Sequence, residues 1–203
     1  MTASADAVLD AFLRLVAERG YSEVTLRDVA AAADMSLADL YRMYPDKMAL
    51  VAGVMARIDA AVLAGTPRQV DPEETARDRL FDVMMRRYDA VKLHREAIRS
   101  IVRAARRDPL LAFGLAPAVR RSMAAMLEAA GLSSEGLSGA VRQNGLLAIH
   151  TAVSRVFDGD DSADLSKTMA ALDSRLKTAE RWAQTIERYG VSRREPASEP
   201  RPE

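Results

Sequence analysis

Apolar residues recur every three or four positions from one end of the chain to the other, and no run alternates with period two over the length of a strand. The pattern predicts an all-α protein. Leu9, Phe12, Leu13 and Val16 make one stripe on a first helix over roughly 4–19, and Gly20 stands where a left-handed C-cap is wanted. Thr25 and Asp28 form a Thr-x-x-Asp capping box that opens a second helix, which ends near Ala33. Ser36 and Asp39 repeat the device three residues later and open a third helix carrying Leu37, Leu40, Tyr41 and Tyr44. Two short helices, each freshly capped and joined only by Asp34 and Met35, must cross steeply, which is helix-turn-helix geometry. Pro45-Asp46 stops the third helix and caps a fourth, roughly 47–63.

The Gly/Pro break at 64–72 is followed by longer helices, expected at about 73–93, 96–106 and 115–130, with Asp108-Pro109 and Ala116-Pro117 as interruptions. Residues 131–139 form a loop. Two long helices follow, about 138–157 and 162–189, separated by the turn at 158–161. The last one steps by four and three through Leu165, Met169, Leu172, Leu176, Ala179, Ala183 and Ile186, a strict heptad seam that reads as a dimer interface or as packing within one subunit. The domain reading is therefore 1–50 as a three-helix helix-turn-helix unit, 51–190 as a larger helical bundle, and 191–203 as a Pro-rich, disordered tail.

Composition narrows the function. The chain has no cysteine and two separated histidines, His94 and His150, so thiol chemistry, a Cys-bound metal and a multi-histidine metal site are not expected. No Gly-rich phosphate loop or nucleophile elbow appears, and neither catalysis nor a cofactor is expected. The apolar stretch 110–119 is far short of the ~20 residues that span a bilayer, so no membrane insertion is expected and a cytoplasmic location is. Lys plus Arg equals Asp plus Glu at 29 each, which excludes a globally basic nucleic-acid binder. The charge is nonetheless uneven: residues 1–50 carry a net −3, and residues 86–107 a net +6 that includes the stripe Arg95, Arg99, Arg103, Arg106. That stripe reads as a solvated, acid-paired face or as a site for an acidic ligand or surface.

The segments VLDAFLRLVAERGY (8–21), TLRDVAAAADMS (25–36) and LYRMYPDKMALVAGV (40–54) resemble the TetR/AcrR family of bacterial regulators in order, spacing and caps. The resemblance implies a DNA-binding head, a variable helical domain that binds a small apolar or amphipathic effector, and a homodimer acting on double-stranded operator DNA. The chain departs from the family pattern at Asp34 in the turn, and at Leu37 and Asp39 on the recognition helix. A shorter stretch, 158–180, resembles the isoprenoid-lipid-binding proteins of ubiquinone biosynthesis, which share the fold without regulating genes. In the regulator reading, Ser36, Tyr41 and Tyr44 donate to phosphates and Arg42 reaches a base edge or phosphate; Leu37 lies beside them. Thr25 and Arg27 touch the flanking backbone, and Lys47 a phosphate. Met84, Met85, Met123, Met126 and Asn144 are the candidate effector contacts, because Met adapts to irregular apolar ligands.

Overall fold

The computed structural model describes residues 4–191, with side chains to Thr185. Among them are nine α-helices: α1 Ala5–Arg19, α2 Leu26–Ala32, α3 Leu37–Met43, α4 Lys47–Ala64, α5 Ala76–Lys92, α6 Arg95–Arg107, α7 Pro109–Ala129, α8 Gly136–Asp158 and α9 Ser166–Val191. A single 3-10 turn, Tyr21–Glu23, follows α1. Of the tail expected at 191–203, Val191 is the last residue of α9, and 192–203 lie outside the described residues.

Helix starts follow side-chain caps. Ser4 accepts from the Ala7 amide at 3.2 Å, Asp46 from Ala49 at 2.7 Å, and Asp108 from Leu110 at 2.9 Å. Each pairing satisfies one of the amides that a helix N-terminus leaves without a partner. Gly20, at φ 92°, lets the chain leave α1 where a side chain would be strained.

Two expectations change. α5 begins at Ala76 rather than near residue 73, because Thr75 is the cap, accepting from the Asp78 amide at 3.1 Å. Asp108-Pro109 separates α6 from α7 as expected, but Ala116-Pro117 does not interrupt α7, which starts at Pro109 rather than near residue 115. Pro109 occupies its first turn, where the missing N–H costs nothing. Pro117 leaves the Phe113 carbonyl without its helical donor, and both residues face solvent, where water can serve that carbonyl.

The head consists of α1–α3 and the start of α4, around Val8, Phe12, Val16, Val29, Leu40 and Leu50, all buried. Helix α4 continues past residue 50 without a break and packs along α7, so the 50/51 boundary falls inside one helix. Helices α5, α7, α8 and α9 form the body, and α6 turns back to pack on α1. Tyr21 donates its amide to the Ser100 hydroxyl at 2.9 Å, which ties head to α6 directly. α7 is long and apolar enough by composition to cross a membrane, but its Leu111, Leu115, Met123, Met126 and Leu127 pack into the protein core.

A buried polar tie joins three body helices. Arg87 on α5 donates to Asp59 on α4, and the same carboxylate oxygen accepts from Ser122 on α7 at 2.7 Å. Nearby, the Tyr88 hydroxyl lies 3.1 Å from His150 Nδ1 and 3.4 Å from the His150 carbonyl. Loss of solvation, reinforced by the Arg87 charge, holds His150 at a pKa of about 3. Burial pushes the Tyr88 phenol up to about 12.

Candidate nucleic-acid interface

Helices α2 and α3 are seven residues each, too short to persist alone, and are held by caps and by three anchors, Val29, Ala30 and Leu40. Thr25 and Asp28 satisfy each other's backbone reciprocally: Asp28 N to Thr25 Oγ1 at 3.2 Å, and Thr25 N to Asp28 Oδ2 at 2.8 Å. The Thr25 hydroxyl and then the Thr25 amide, both donating to the Asp28 carboxylate, hold it below its ordinary pKa, with Arg19 assisting from 3.7 Å. Ser36 accepts from the Asp39 amide at 3.1 Å and donates to its carboxylate at 2.6 Å. Between the helices Asp34 adopts φ 52°, the left-handed backbone that glycine would take without strain.

The face so presented carries Arg27, Ser36, Leu37, Tyr41 and Arg42, with Thr25 at its edge, all exposed. Tyr41 is 59% exposed. Two expected contacts are placed elsewhere. Tyr44 is half-buried and packs on Gly53 of α4, where an added Cβ would lie 2.9 Å from its ring. Lys47 turns back into the head: its ammonium donates to the Tyr21 carbonyl at 2.9 Å and sits 4.5 Å above the Tyr21 ring. A cation held by a carbonyl and an aromatic face satisfies the fold first. Arg42 projects outward but is paired with Asp39 one turn back.

The acidity of residues 1–50 has a structural cause. Asp28, Asp39 and Asp46 are spent on helix starts, and Asp10 pairs at 2.7 Å with Arg57, which lies beyond residue 50. Counting Arg57 reduces the −3 by one, while the capping carboxylates stay ionised and keep the head acidic.

In the body the effector contacts expected from sequence do not assemble. Met84, Met123 and Met126 are 0% exposed and fill the core. Met85 alone of the four lines a cavity of about 770 Å³ between the 66–74 segment, α5 and the end of α7. Asn144 is exposed on α8. The heptad seam divides. Leu165, Leu172 and Leu176 are buried within the subunit, because α9 must cover α8 and α5. These three are core positions, not surface that a partner can cover. Met169, Ala179 and Ala183 are exposed; the Ile186 side chain lies outside those described.

The 158–180 stretch folds as the turn into α9. There Asp160 accepts from Thr168 N at 2.8 Å and from its hydroxyl at 2.7 Å. The Arg stripe is split likewise: Arg95 stacks on Phe157 at 4.4 Å and donates to the Asp160 carbonyl, Arg99 pairs with Glu96 at 2.8 Å, and Arg103 and Arg106 are exposed. Sequence reasoning did not find the Ser100–Tyr21 link; a lone Ser inside a basic stripe gives no periodic signal.

Two short helices, each with its own side-chain cap and packed together at the head of an all-helical chain, have the organisation of a helix-turn-helix. Residues 8–54 match the family of bacterial regulatory proteins, tetR family. The HTH-type transcriptional repressor KstR of Mycolicibacterium smegmatis is 38% identical over 71 residues, covering 30% of this chain and 35% of that protein. KstR of Rhodococcus jostii is 42% identical over 50 residues, 25% of this chain and 24% of that protein. The chain thus spans about a third or less of the length of these relatives. In fold, a TetR transcriptional regulator from Nitrosomonas europaea superposes with a TM-score of 0.68 at 22% identity, over 87% of this chain and 97% of that one. One from Rhodococcus sp. RHA1 gives 0.60 at 21%, over 84% and 94%. The N-terminal segment therefore matches the TetR family model, and the chain as a whole has the fold of these solved regulators.

Proposed function

We propose that the chain is a homodimeric, ligand-responsive DNA-binding regulator of TetR type, acting as a repressor in the cytoplasm. The observation that carries this reading is the exposed face of Arg27, Ser36, Leu37, Tyr41 and Arg42 on a helix pair locked by two side-chain caps. Such a face fits a major groove, with polar groups for phosphates and Arg42 for a base edge. The family model matches residues 8–54, which hold this face, and two relatives named as transcriptional repressors match part of the chain. Two heads of a dimer reach successive grooves only at a spacing of ~34–36 Å. A small apolar or amphipathic effector in the body would favour another spacing, with a coupling of ~1–3 kcal/mol. The cavity beside Met85, with Val70, Val83 and Ala129 as apolar wall, is the place we assign to it. The dimer surface we assign is the outer face of α8 and α9, where Leu137, Val141, Met169 and Trp182 are 86, 63, 40 and 67% exposed.

The test is an electrophoretic mobility shift with DNA from upstream of the protein's own gene. A specific, salt-sensitive complex that Tyr41→Ala weakens supports the reading. Absence of any complex down to low salt would overturn it.

A further inference from the structure

A second cavity, of about 670 Å³, lies at the junction of head and body. Four cations from three helices reach its wall: Arg19 at the end of α1, Lys47 at the start of α4, and Arg103 and Arg107 on α6. They face two carboxylates, Glu23 and Asp108. Asp108 is committed to the α7 N-terminus, where it accepts from two amides. Arg103 and Arg107 have no ion-pair partner among the described residues, and both are exposed. Burial lowers the pKa of the Lys47 ammonium, with Glu23 opposing; its carbonyl bond uses one of three donors.

The same groove has an apolar side. Met48 and Leu111 line it, and Leu110 stands 82% exposed at its edge. One turn further on α7, Phe113 is 81% exposed. An apolar wall with an exposed Leu110 beside unpaired arginines matches a ligand with a charged end and an apolar body. The α5 cavity has the opposite character. Asp71, Glu74, Asp82 and Asp89 line it, and its two arginines, Arg79 and Arg86, are committed to backbone carbonyls. An anion is therefore repelled there and attracted to the junction.

We propose that the junction groove binds an amphipathic anion, its carboxylate or phosphate head on Arg103 and Arg107 opposite Arg19 and Lys47, and its acyl or aryl body along Leu110 and Met48. Such a ligand would bridge α6 to the head at the place where Ser100 already holds Tyr21. Binding is read on the free protein and does not depend on the DNA-binding proposal; either can fail while the other stands.

The experiment is isothermal titration of the full chain with decanoate and with decyl phosphate below their micellar concentrations. Decanol and decyltrimethylammonium are the neutral and cationic controls. Saturable binding of one anion per chain is expected, weakening between 50 and 300 mM salt, with the tighter of the two anions identifying the head group. Arg103→Gln with Arg107→Gln should weaken it at least tenfold at unchanged thermal midpoint, because neither side chain supports the fold. Arg120→Gln with Arg121→Gln, exposed on α7 outside the groove, should bind as the wild type does. The proposal is overturned if neither anion binds saturably, if the Arg103/Arg107 variant binds as tightly as wild type, or if decanol or the cation binds as well as the anions and loses that binding in the Arg103/Arg107 variant.

Discussion

At the scale of single residues, the reading face is decided by which charges the fold has already used. Lys47 is drawn to the Tyr21 carbonyl and ring, and Arg42 is tied to Asp39, so each cation meets a competitor before it meets a phosphate. Arg42 is the freer of the two, with its side chain 75% exposed. Counterion release makes its contribution measurable. Each neutralised phosphate steepens log K against log salt by about 0.9, so Arg42→Ala should flatten the slope of a dimer by about 1.8. Asp39→Asn should act in the other direction. The amide still accepts from the Ser36 hydroxyl, which bonds Asp39 at 2.6 Å, so the cap survives while Arg42 is released. Affinity should rise several-fold and the slope steepen. A salt titration on one operator fragment checks both; weaker binding by Asp39→Asn would show that the ion pair orients Arg42 rather than restraining it.

At the scale of elements, the sequence showed most of what local rules control. The capping pairs Thr25/Asp28 and Ser36/Asp39 placed α2 and α3 to within a residue, because a cap is a contact between positions three apart. What depended on distant neighbours was less legible. Pro117 looked like a break because periodicity cannot show that its turn faces water. The heptad on α9 was real, but a seam does not name its partner. Leu172 and Leu176 found α8 and α5 in their own chain, as their burial shows. Met84, Met123 and Met126 were likewise apolar positions without an address, and they became core. Nothing in the spacing of Asp59, Arg87 and Ser122 announces that α4, α5 and α7 meet there. That tie is a test of element packing. With side chains 5% and 12% exposed, Arg87 and Asp59 lie where an unmatched charge is costly. Asp59→Ala should destabilise by about 3–5 kcal/mol, because Arg87 keeps its charge and loses its counter-ion. A combined Asp59→Leu, Arg87→Met, Ser122→Ala variant should recover most of that loss. Chemical denaturation of the two variants checks this; equal losses would mean that packing volume, not charge, holds the three helices.

At the scale of the whole molecule, two global properties follow from buried groups and an uncovered face. His150 stays neutral when folded down to about pH 3, whereas an unfolded histidine takes a proton near 6.5. Between those values the unfolded state holds the extra proton, so stability is full above 6.5 and falls as the pH drops below it. At pH 5 the loss relative to pH 7.5 should be about 2 kcal/mol from this residue. His94, also lowered by burial and by Arg57, adds to it in the same direction. His150→Gln should remove one proton's worth of slope in urea unfolding between pH 7.5 and 5; an unchanged slope would place the acid sensitivity elsewhere.

The uncovered face makes the second prediction. On α8, Leu137 and Val141 are 86% and 63% exposed on the same side, and Trp182 on α9 is 67% exposed, a cost a monomer has no reason to bear. Leu172, by contrast, is wholly buried within the subunit. The two positions should therefore answer a charge differently. Leu137→Glu with Val141→Glu should leave helicity and thermal unfolding of the chain cooperative but shift sedimentation from dimer to monomer, since exposed glutamates cost little until a dry interface must close over them. Leu172→Glu puts the same charge into the core and should unfold the protein rather than merely separate it. A dimer that survives the α8 double variant would move the interface off this face. A folded monomer from Leu172→Glu would return it to the α9 seam.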